Sequence, residues 1–242
     1  MELFGVEILE LPKESILQTV VERIEKEEKT FLVTANALIM LQVRKNATYK
    51  DAVRSADYVV PDGFGIRLIG KVKYKRDIHR YPGIDMVKDL IEIGKDKNWK
   101  FYFLGAKEEV VIRMYEIYKE VVNVVGYHHG YFEGDGPVDE ILSLEPDVVF
   151  VAMGAPKQEL WIWRNINKFK KGLFMGVGGS FDVLSGMKKR APGWMIKMGL
   201  EWAYRFFQSP SKRWKVPFQI VEFLLRALFY NGEEGETENE ER

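Results

Sequence analysis

The stretch DYVVPDG (residues 57–63) decides the fold class of this sequence. An apolar, β-branched run that is typical of a buried strand ends there in Pro61, Asp62 and Gly63. Turns use the same three residue types, so the motif alone is most simply a turn. Whether Asp62 does more depends on where the carboxyl end of this strand lies in the fold.

Similar apolar runs recur along the chain and alternate with segments of helical periodicity. The predicted strands are 30–34, 57–61, 100–105, 122–126, 147–154 and 172–179. The predicted helices are 13–28, 35–46, 84–97, 107–119 and 156–168. Fully apolar strands separated by helices indicate an α/β fold, in which a mainly parallel sheet is covered by helices on both faces. We therefore expect one Rossmann-like domain over residues 1–195.

This architecture changes the interpretation of Asp62, because ligands of open α/β sheets bind beyond the carboxyl ends of the strands. Five predicted strand ends carry polar or glycine-rich sequences: residues 34–36, 61–63, 104–106, 153–158 and 176–180. Glycines at such ends let backbone N–H groups approach phosphate oxygens. The sequence therefore predicts a site for a nucleotide or diphosphate at this edge of the sheet.

The common nucleotide-cofactor motifs are incomplete. A dinucleotide fingerprint would need glycine at position 181 or 68, where the chain has Phe181 and Leu68, and no Walker-type phosphate loop is present. Because these motifs are incomplete, a Rossmann-like oxidoreductase that uses a nucleotide cofactor is kept only as an alternative function. A non-catalytic scaffold that binds a nucleotide sugar is the other alternative function.

Composition excludes several other classes of protein. The 242 residues contain 36 Lys or Arg and 36 Asp or Glu, so there is no overall charge bias toward nucleic acid. The chain has no cysteine, which excludes disulfides, thiolate metal sites and cysteine nucleophiles. It has neither a basic signal-peptide start nor an apolar run long enough to span a bilayer. We expect a cytoplasmic protein.

Charge and aromatic residues concentrate near the C-terminal end. Between residues 188 and 230 there are nine Lys or Arg and two acidic residues, interleaved with Trp and Phe. We expect residues 196–230 to form a helical appendage that docks on an anionic membrane surface. A packing face against the α/β domain or a second subunit is the alternative, whereas a nucleic-acid groove is disfavoured because no recognisable module is present. Residues 231–242 are acidic and are expected to be a disordered tail.

Several stretches together resemble the bacterial WecG/TagA/CpsF family of glycosyltransferases. They are VTANA (33–37), VVPDGFGI (59–66), RYPGID (80–85), GAPKQELWIWRN (154–165), GVGGSFDVLSG (176–186), KRAPGWM (189–195) and LEWAYRFFQSP (200–210). The resemblance implies a Rossmann-like catalytic domain of the GT-E type, a UDP-sugar donor and an acceptor sugar on a polyprenyl diphosphate. In well-known members N-acetylmannosamine is added, with inversion, to GlcNAc on undecaprenyl diphosphate.

The same resemblance assigns roles to individual residues. Asp62 matches the general base, and Arg80 matches the active-site arginine. The expected substrate-binding residues, taken from the resemblance and from the strand ends, are Thr34, Asn36, Gly105, Gln158, Gly178, Gly179 and Asp182. Arg205 and Arg213 are expected to meet either the acceptor diphosphate or lipid headgroups.

Each of these residues also has a simpler interpretation. Thr34 and Asn36 are good helix caps, Gln158 and Asp182 could bond locally, and Arg80 lies in a basic, surface-like run. The chain also has Ala35 and Ala37 where family members usually have proline, so the stiffness of that loop is in doubt.

No metal site is predicted, because the chain lacks an Asp-x-Asp motif and its three histidines have few neighbouring carboxylates. We therefore expect an inverting transfer that needs no cofactor, in which arginine and backbone amides stabilise the departing UDP. Formation of a homo-oligomer is left open.

Overall fold

The structure is a computed structural model and describes residues 1–232, apart from the side chain of Lys212. The acidic tail predicted for residues 231–242 therefore lies almost wholly outside the described residues. A parallel six-stranded sheet forms the centre of the molecule, as predicted. Its strands are β3 (Thr30–Ala35), β4 (Tyr58–Pro61), β5 (Lys100–Gly105), β6 (Asn123–His128), β7 (Val148–Ala152) and β8 (Leu173–Gly176).

Thirteen α-helices and one 3₁₀ helix are found in the described part of the chain. They are α1 (Lys13–Glu25), α2 (Ala37–Lys45), α3 (Ala47–Arg54), α4 (Phe64–Val72), α5 (Gly83–Lys97), α6 (Glu108–Tyr118), α7 (Val138–Leu144), α8 (Lys157–Asn165), α9 (Ser180–Leu184), α10 (Gly193–Lys197), α11 (Glu201–Gln208), α12 (Pro210–Arg213) and α13 (Val216–Leu228), with the 3₁₀ helix at Ile166–Lys168. A short antiparallel hairpin, β1 (Glu2–Leu3) and β2 (Val6–Glu7), precedes them.

The sheet separates two apolar cores. Alternate side chains of β3 point to opposite faces, so that Phe31 and Val33 lie in one core and Leu32 in the other. Helices α2, α3, α4, α7, α8 and α13 contribute to the first core, and α1, α5, α6 and α9 contribute to the second. The expectation of helices on both faces is therefore confirmed.

The strand order is β4-β3-β8-β7-β5-β6. From β3 the chain runs outward to β4 at one edge of the sheet, and all later strands lie on the other side of β3. This reversal places the carboxyl ends of β4, β3 and β8 side by side. Such a reversal of strand order is where α/β sheets bind ligands.

The segment after residue 195 is not a detached appendage. Helix α13 packs against α2 and α4, and its Phe223 and Ala227 are fully buried in the first core. Phe223 and Tyr230 make edge contacts with Phe4, whose ring centroid lies 6.2 Å and 5.2 Å from theirs. The C-terminal helices therefore complete the core as well as the rim of the sheet.

Candidate functional site

Asp62 lies where the ends of β4 and β3 meet. Ala35 pairs with Pro61, and the backbone N–H of Asp62 donates to the carbonyl of Ala35 at 2.8 Å. A Cβ on Gly63 would lie only 2.9 Å from the Cβ of Asn36, so glycine is required for this approach. The motif is thus a tight turn, and the turn holds the Asp62 carboxylate at the rim.

A polar cavity of about 390 Å³ opens beyond these strand ends. Eight of the predicted site residues line it: Thr34, Asn36, Asp62, Gln158, Gly178, Gly179, Arg205 and Arg213. They come from the ends of β3, β4 and β8, from the start of α8, and from α11 and α12. The fold therefore brings together residues that are far apart in the sequence.

The environment of Asp62 favours a carboxyl group that titrates near neutrality. Burial is the main cause that raises the pKa of Asp62 to about 6; the charge of Glu201 adds to the rise, while Arg205 and Arg80 oppose it. The backbone N–H of Gly83 also bonds to this carboxyl group and favours its ionised form. An acid with this pKa is mostly ionised at neutral pH, yet it is a stronger base than a solvent-exposed aspartate.

A second, largely apolar cavity of about 340 Å³ adjoins the first. Asp62, Glu201, Arg205 and Arg213 line both cavities, so the carboxylate and the arginines lie at the junction. Arg80 lines the apolar cavity, is half-buried, and donates to the carbonyl of Ile196 at 3.3 Å. The structure thus places Arg80 beside Asp62 and not in a fully exposed surface run.

Gln158 cross-links two glycine loops. Its side-chain oxygen accepts hydrogen bonds from the backbone N–H groups of Gly154 (3.0 Å) and Gly178 (2.9 Å). Its side-chain nitrogen donates to Glu159 at 2.7 Å, and Glu159 is fully buried, which raises its pKa. The expectation that the glycine loops offer their amides to phosphate is therefore corrected for Gly154 and Gly178, because both N–H groups already have an acceptor within the protein.

Thr34 and Asn36 are also held by local bonds. The Thr34 hydroxyl donates to the carbonyl of Gly176 at 3.1 Å, which ties β3 to β8. The Asn36 side chain caps α2 by accepting from Leu38 and Ile39 at 3.0 and 3.2 Å. The helix-cap interpretation is correct for Asn36 but not for Thr34, and both residues still line the polar cavity.

Two predicted substrate-binding residues lie outside both cavities. Gly105 has a φ of +120°, and a Cβ there would clash with the backbone of Ala152 at 2.5 Å, so its glycine is needed where β5 ends beside β7. Asp182 pairs with Lys188 at 2.7 Å and lines a small neighbouring pocket. Gly105 is thus held in a close contact between two strands, and Asp182 is held by an ion pair within its own loop.

Arginine residues from the C-terminal helices complete the site. Arg205 pairs with Glu201, one helical turn earlier, at 2.7 Å. Burial, and then the nearby charge of Arg205, lowers the pKa of Arg213. Two guanidinium groups that repel each other at the edge of a cavity are suited to binding an anion.

Sequence reasoning missed several residues of the site. Glu201 lines both cavities, and its only signal is the i,i+4 spacing from Arg205. Asp85 and Arg190 form a bidentate ion pair at 2.6 and 2.8 Å, which fastens the KRAP segment to the start of α5. No local pattern links residues 85 and 190, so only the fold could reveal this pair.

Beyond the cavities, α11–α13 and their connections expose several large apolar side chains. Phe207, Trp214, Phe218 and Phe229 are among the most exposed of them, whereas Trp202 is half-buried and lines the apolar cavity. None of the helices in residues 1–232 is long and apolar enough to cross a membrane. Nor does that part of the chain contain a group of three or more acidic or histidine side chains that could hold a metal ion.

Comparison with known proteins gives a consistent family. A family profile described as "Glycosyl transferase WecG/TagA/CpsF family" matches residues 1–235. Three relatives share the name N-acetylglucosaminyldiphosphoundecaprenol N-acetyl-beta-D-mannosaminyltransferase. The protein of Bacillus spizizenii strain W23 is 34% identical over 209 residues, which cover 85% of this chain and 81% of the relative. That of Bacillus subtilis strain 168 is 36% identical over 199 residues (81% and 77%), and that of Staphylococcus aureus strain NCTC 8325 is 37% identical over 179 residues (72% and 70%). The chain belongs to the WecG/TagA/CpsF family of glycosyl transferases.

Proposed function

We propose that the protein transfers N-acetylmannosamine from a UDP-sugar to the GlcNAc of GlcNAc-diphosphoundecaprenol, with inversion and without a metal ion. The observation that carries this proposal is the junction of the two cavities, where the Asp62 carboxylate lies with Arg205 and Arg213, and Arg80 lines the adjoining apolar cavity. The names of three relatives supply the sugar and the acceptor. The donor, the stereochemistry and metal independence are our additions.

Asp62 acts as the general base. An inverting displacement needs one group to take the proton from the attacking hydroxyl, and a positioned base contributes roughly 10²- to 10⁴-fold to the rate. The raised pKa of Asp62 and its place between the two cavities suit this role. The acceptor hydroxyl approaches from one cavity while the donor sugar lies in the other.

Arginine side chains stabilise the negative charge that develops on the departing UDP. A guanidinium group stays charged at all relevant pH values and can bind phosphate through two N–H groups at once. Arg205 and Arg213 line the polar cavity, next to the rim loop of Gly178 and Gly179. This arrangement supports a diphosphate site that does not depend on a divalent cation.

The protein binds peripherally to the cytoplasmic face of the cell membrane, where its acceptor is anchored. The apolar side chains exposed on α11–α13 and the nine basic residues between 188 and 230 support this orientation. UDP-sugar, the lipid-linked acceptor and the membrane surface are thus the proposed partners.

A donor screen tests the proposal. UDP release is measured with a panel of UDP-sugars and a short-chain GlcNAc-diphosphate lipid, with and without EDTA, and NMR of the product gives the anomeric configuration. We expect turnover with UDP-N-acetylmannosamine, inversion at the anomeric carbon and undiminished rates in EDTA.

Loss of activity on chelation, restored by Mg²⁺ or Mn²⁺, would overturn the arginine-based mechanism. Tight NAD binding without UDP binding would favour an oxidoreductase, and UDP-sugar binding without turnover would favour a scaffold.

A further inference from the structure

The apolar cavity beside Asp62 has walls unlike those of the polar cavity. Helix α4 contributes Leu68, the start of α11 contributes Leu200 and Trp202, and α13 contributes Val216, Ile220 and Leu224. Its volume of about 340 Å³ falls at the lower end of small-molecule sites, which span roughly 300–1,000 Å³. The walls are therefore suited to an apolar ligand of limited size.

Beyond its junction with the polar cavity, this cavity is unsuited to the polar parts of either substrate. Sugar hydroxyls and the uracil ring carry several donors and acceptors, and each one buried without a partner weakens binding. The apolar walls offer few such partners away from the junction with Asp62 and the arginines. A hydrocarbon chain, in contrast, gains affinity with each carbon that it buries.

The groups that line the apolar cavity match the chemical groups of a lipid-linked acceptor. Such an acceptor consists of a sugar, then a diphosphate, then an isoprenoid chain. The Asp62 carboxylate lies at the junction, and Arg80 and the apolar walls line the apolar cavity but not the polar one. We propose that the apolar cavity binds the first isoprenoid units of the acceptor, an assignment that rests on the proposed glycosyl transfer.

The cavity also offers the chain a way out. Phe64 and Met198 line it and are 38% and 59% exposed, so they lie at its mouth. On α13, the exposed Val221 and Leu225 neighbour the cavity-lining Ile220 and Leu224. The cavity is far too small for an entire undecaprenyl chain, so the remaining units continue past this mouth into the bilayer.

A chain-length series in solution tests this assignment. Soluble GlcNAc-diphosphate acceptors with increasing numbers of isoprene units, short enough to stay monomeric, are compared by kcat/KM without vesicles or detergent. For the unmodified protein we expect kcat/KM to rise by at least roughly tenfold across the series and then to level off as the cavity fills. The gain should appear mainly as a lower KM for the acceptor.

Two variants and a control localise the effect. Leu68→Asn makes one wall polar and Ile220→Trp fills the space, so both should flatten the dependence of kcat/KM on chain length. Ile112→Asn, on the outer surface of α6, should keep the full slope, and thermal unfolding checks that each variant is folded.

The outcomes separate this assignment from the proposed function. Equal slopes in all variants would place the chain elsewhere on the protein and overturn the assignment. If kcat/KM does not change with chain length but transfer is normal, the assignment of the apolar cavity is wrong and the proposed glycosyl transfer still holds. Failure of every acceptor would overturn both.

Discussion

Asp62 combines two properties that oppose each other in a folded protein. Its carboxyl group lies largely within protein, which disfavours the ionised form, and its proposed role requires that form. A carboxyl group whose pKa is higher in the folded than in the unfolded state destabilises the fold at pH values above that pKa. Asp62 therefore lowers the free energy of unfolding at neutral pH, where its proposed role requires the ionised form.

We expect Asp62→Asn to lower kcat by roughly 10²-fold or more, because the amide keeps the shape but cannot accept the proton. UDP affinity, measured by calorimetry, should change little. Thermal unfolding at pH 7 should show a variant at least as stable as the parent, which excludes misfolding as the cause. Asp77→Asn, at an exposed carboxylate paired with Arg67, is the matched control. Undiminished turnover in Asp62→Asn would show that Asp62 is not the general base and serves only to form the turn.

The pH dependence of transfer follows from the same carboxyl group. Since its pKa is raised to about 6 and only the ionised form can act as a base, kcat/KM should fall as the pH is lowered through about 6. The decrease should approach tenfold per pH unit below that value. A pH–rate profile of the parent and of Asp62→Asn checks this, since the variant should not show the decrease of kcat/KM at low pH. A midpoint near pH 4 would indicate that the carboxylate is solvated during turnover.

The hydrogen bonds of Gln158 predict a dependence on its buried neighbour. Glu159→Leu removes the acceptor of the Gln158 amide, so the loops of Gly154 and Gly178 should lose their cross-link. A buried donor left without a partner costs about 1–3 kcal/mol, and we expect the donor KM to rise roughly tenfold or more while kcat changes less. Glu159→Gln should retain near-normal KM, because its side-chain oxygen can still accept the hydrogen bond from Gln158. Equal donor KM values in both variants would show that Glu159 does not position the Gln158 side chain for donor binding.

At this scale the sequence revealed the positions of residues better than their contacts. Asp62 and Thr34 could be placed at the rim because each lies at the carboxyl end of an apolar strand. The carboxyl ends of parallel strands all lie at the same edge of the sheet. Gln158 could be placed there too, but its role as a cross-link between two glycine loops depends on a contact with residue 178. Glu201 was missed because its helix reaches the rim only through packing that no local pattern encodes.

Among the elements, strands were easier to predict than short helices. All six strands of the central sheet were predicted from apolar, β-branched runs, and the observed ends lie within two residues of the predicted ones, or three at the glycine-rich end of β8. Helices α3, α4, α7, α9 and α10 were missed because each is short, and polar or turn-forming residues interrupt or border its pattern. α4, for example, follows directly on the Pro61-Asp62-Gly63 turn, where sequence rules favour a loop.

Helix α13 has one face in the apolar core and another face exposed to solvent. Phe223 is fully buried in the core, whereas Phe218 on the same helix is 71% exposed. We expect Phe223→Ala to lower the free energy of unfolding by about 3–5 kcal/mol, because it leaves a cavity in a packed core. Phe218→Ala should change it by less than about 0.5 kcal/mol. Urea denaturation of both variants measures the difference, and equal stabilities would mean that α13 is not part of the folded core.

For the whole molecule, the proposed membrane binding orients the C-terminal helices toward the bilayer. We expect Phe207→Ser combined with Trp214→Ser to weaken sedimentation with anionic vesicles several-fold, because both side chains are exposed beside basic residues. Binding of the parent should weaken as salt rises, since salt screens the basic residues.

The control for this experiment is Val121→Ser, a 39% exposed position outside the C-terminal helices. Vesicle binding equal to that of the parent is expected for this variant. If the double variant also binds as the parent does, the exposed face would be assigned instead to packing against another protein chain.

The order of the strands was beyond what the sequence could predict. Neighbours such as β3 and β8 are brought together only by the complete set of helix crossings, because no residue near Thr30 specifies a partner near Leu173. The fold class followed from local patterns, but the composition of the site followed from this long-range order.

The pairing of β3 with β8 also determines when the sheet can be completed during protein synthesis. On the ribosome, β3 acquires β4 as a neighbour early, but its other edge stays unpaired until residues 173–176 have been translated. An unpaired strand edge is prone to association with other chains, and contacts so distant in sequence form slowly. A nascent chain that stalls before residue 173 would therefore be an aggregation-prone fragment and not a smaller working enzyme.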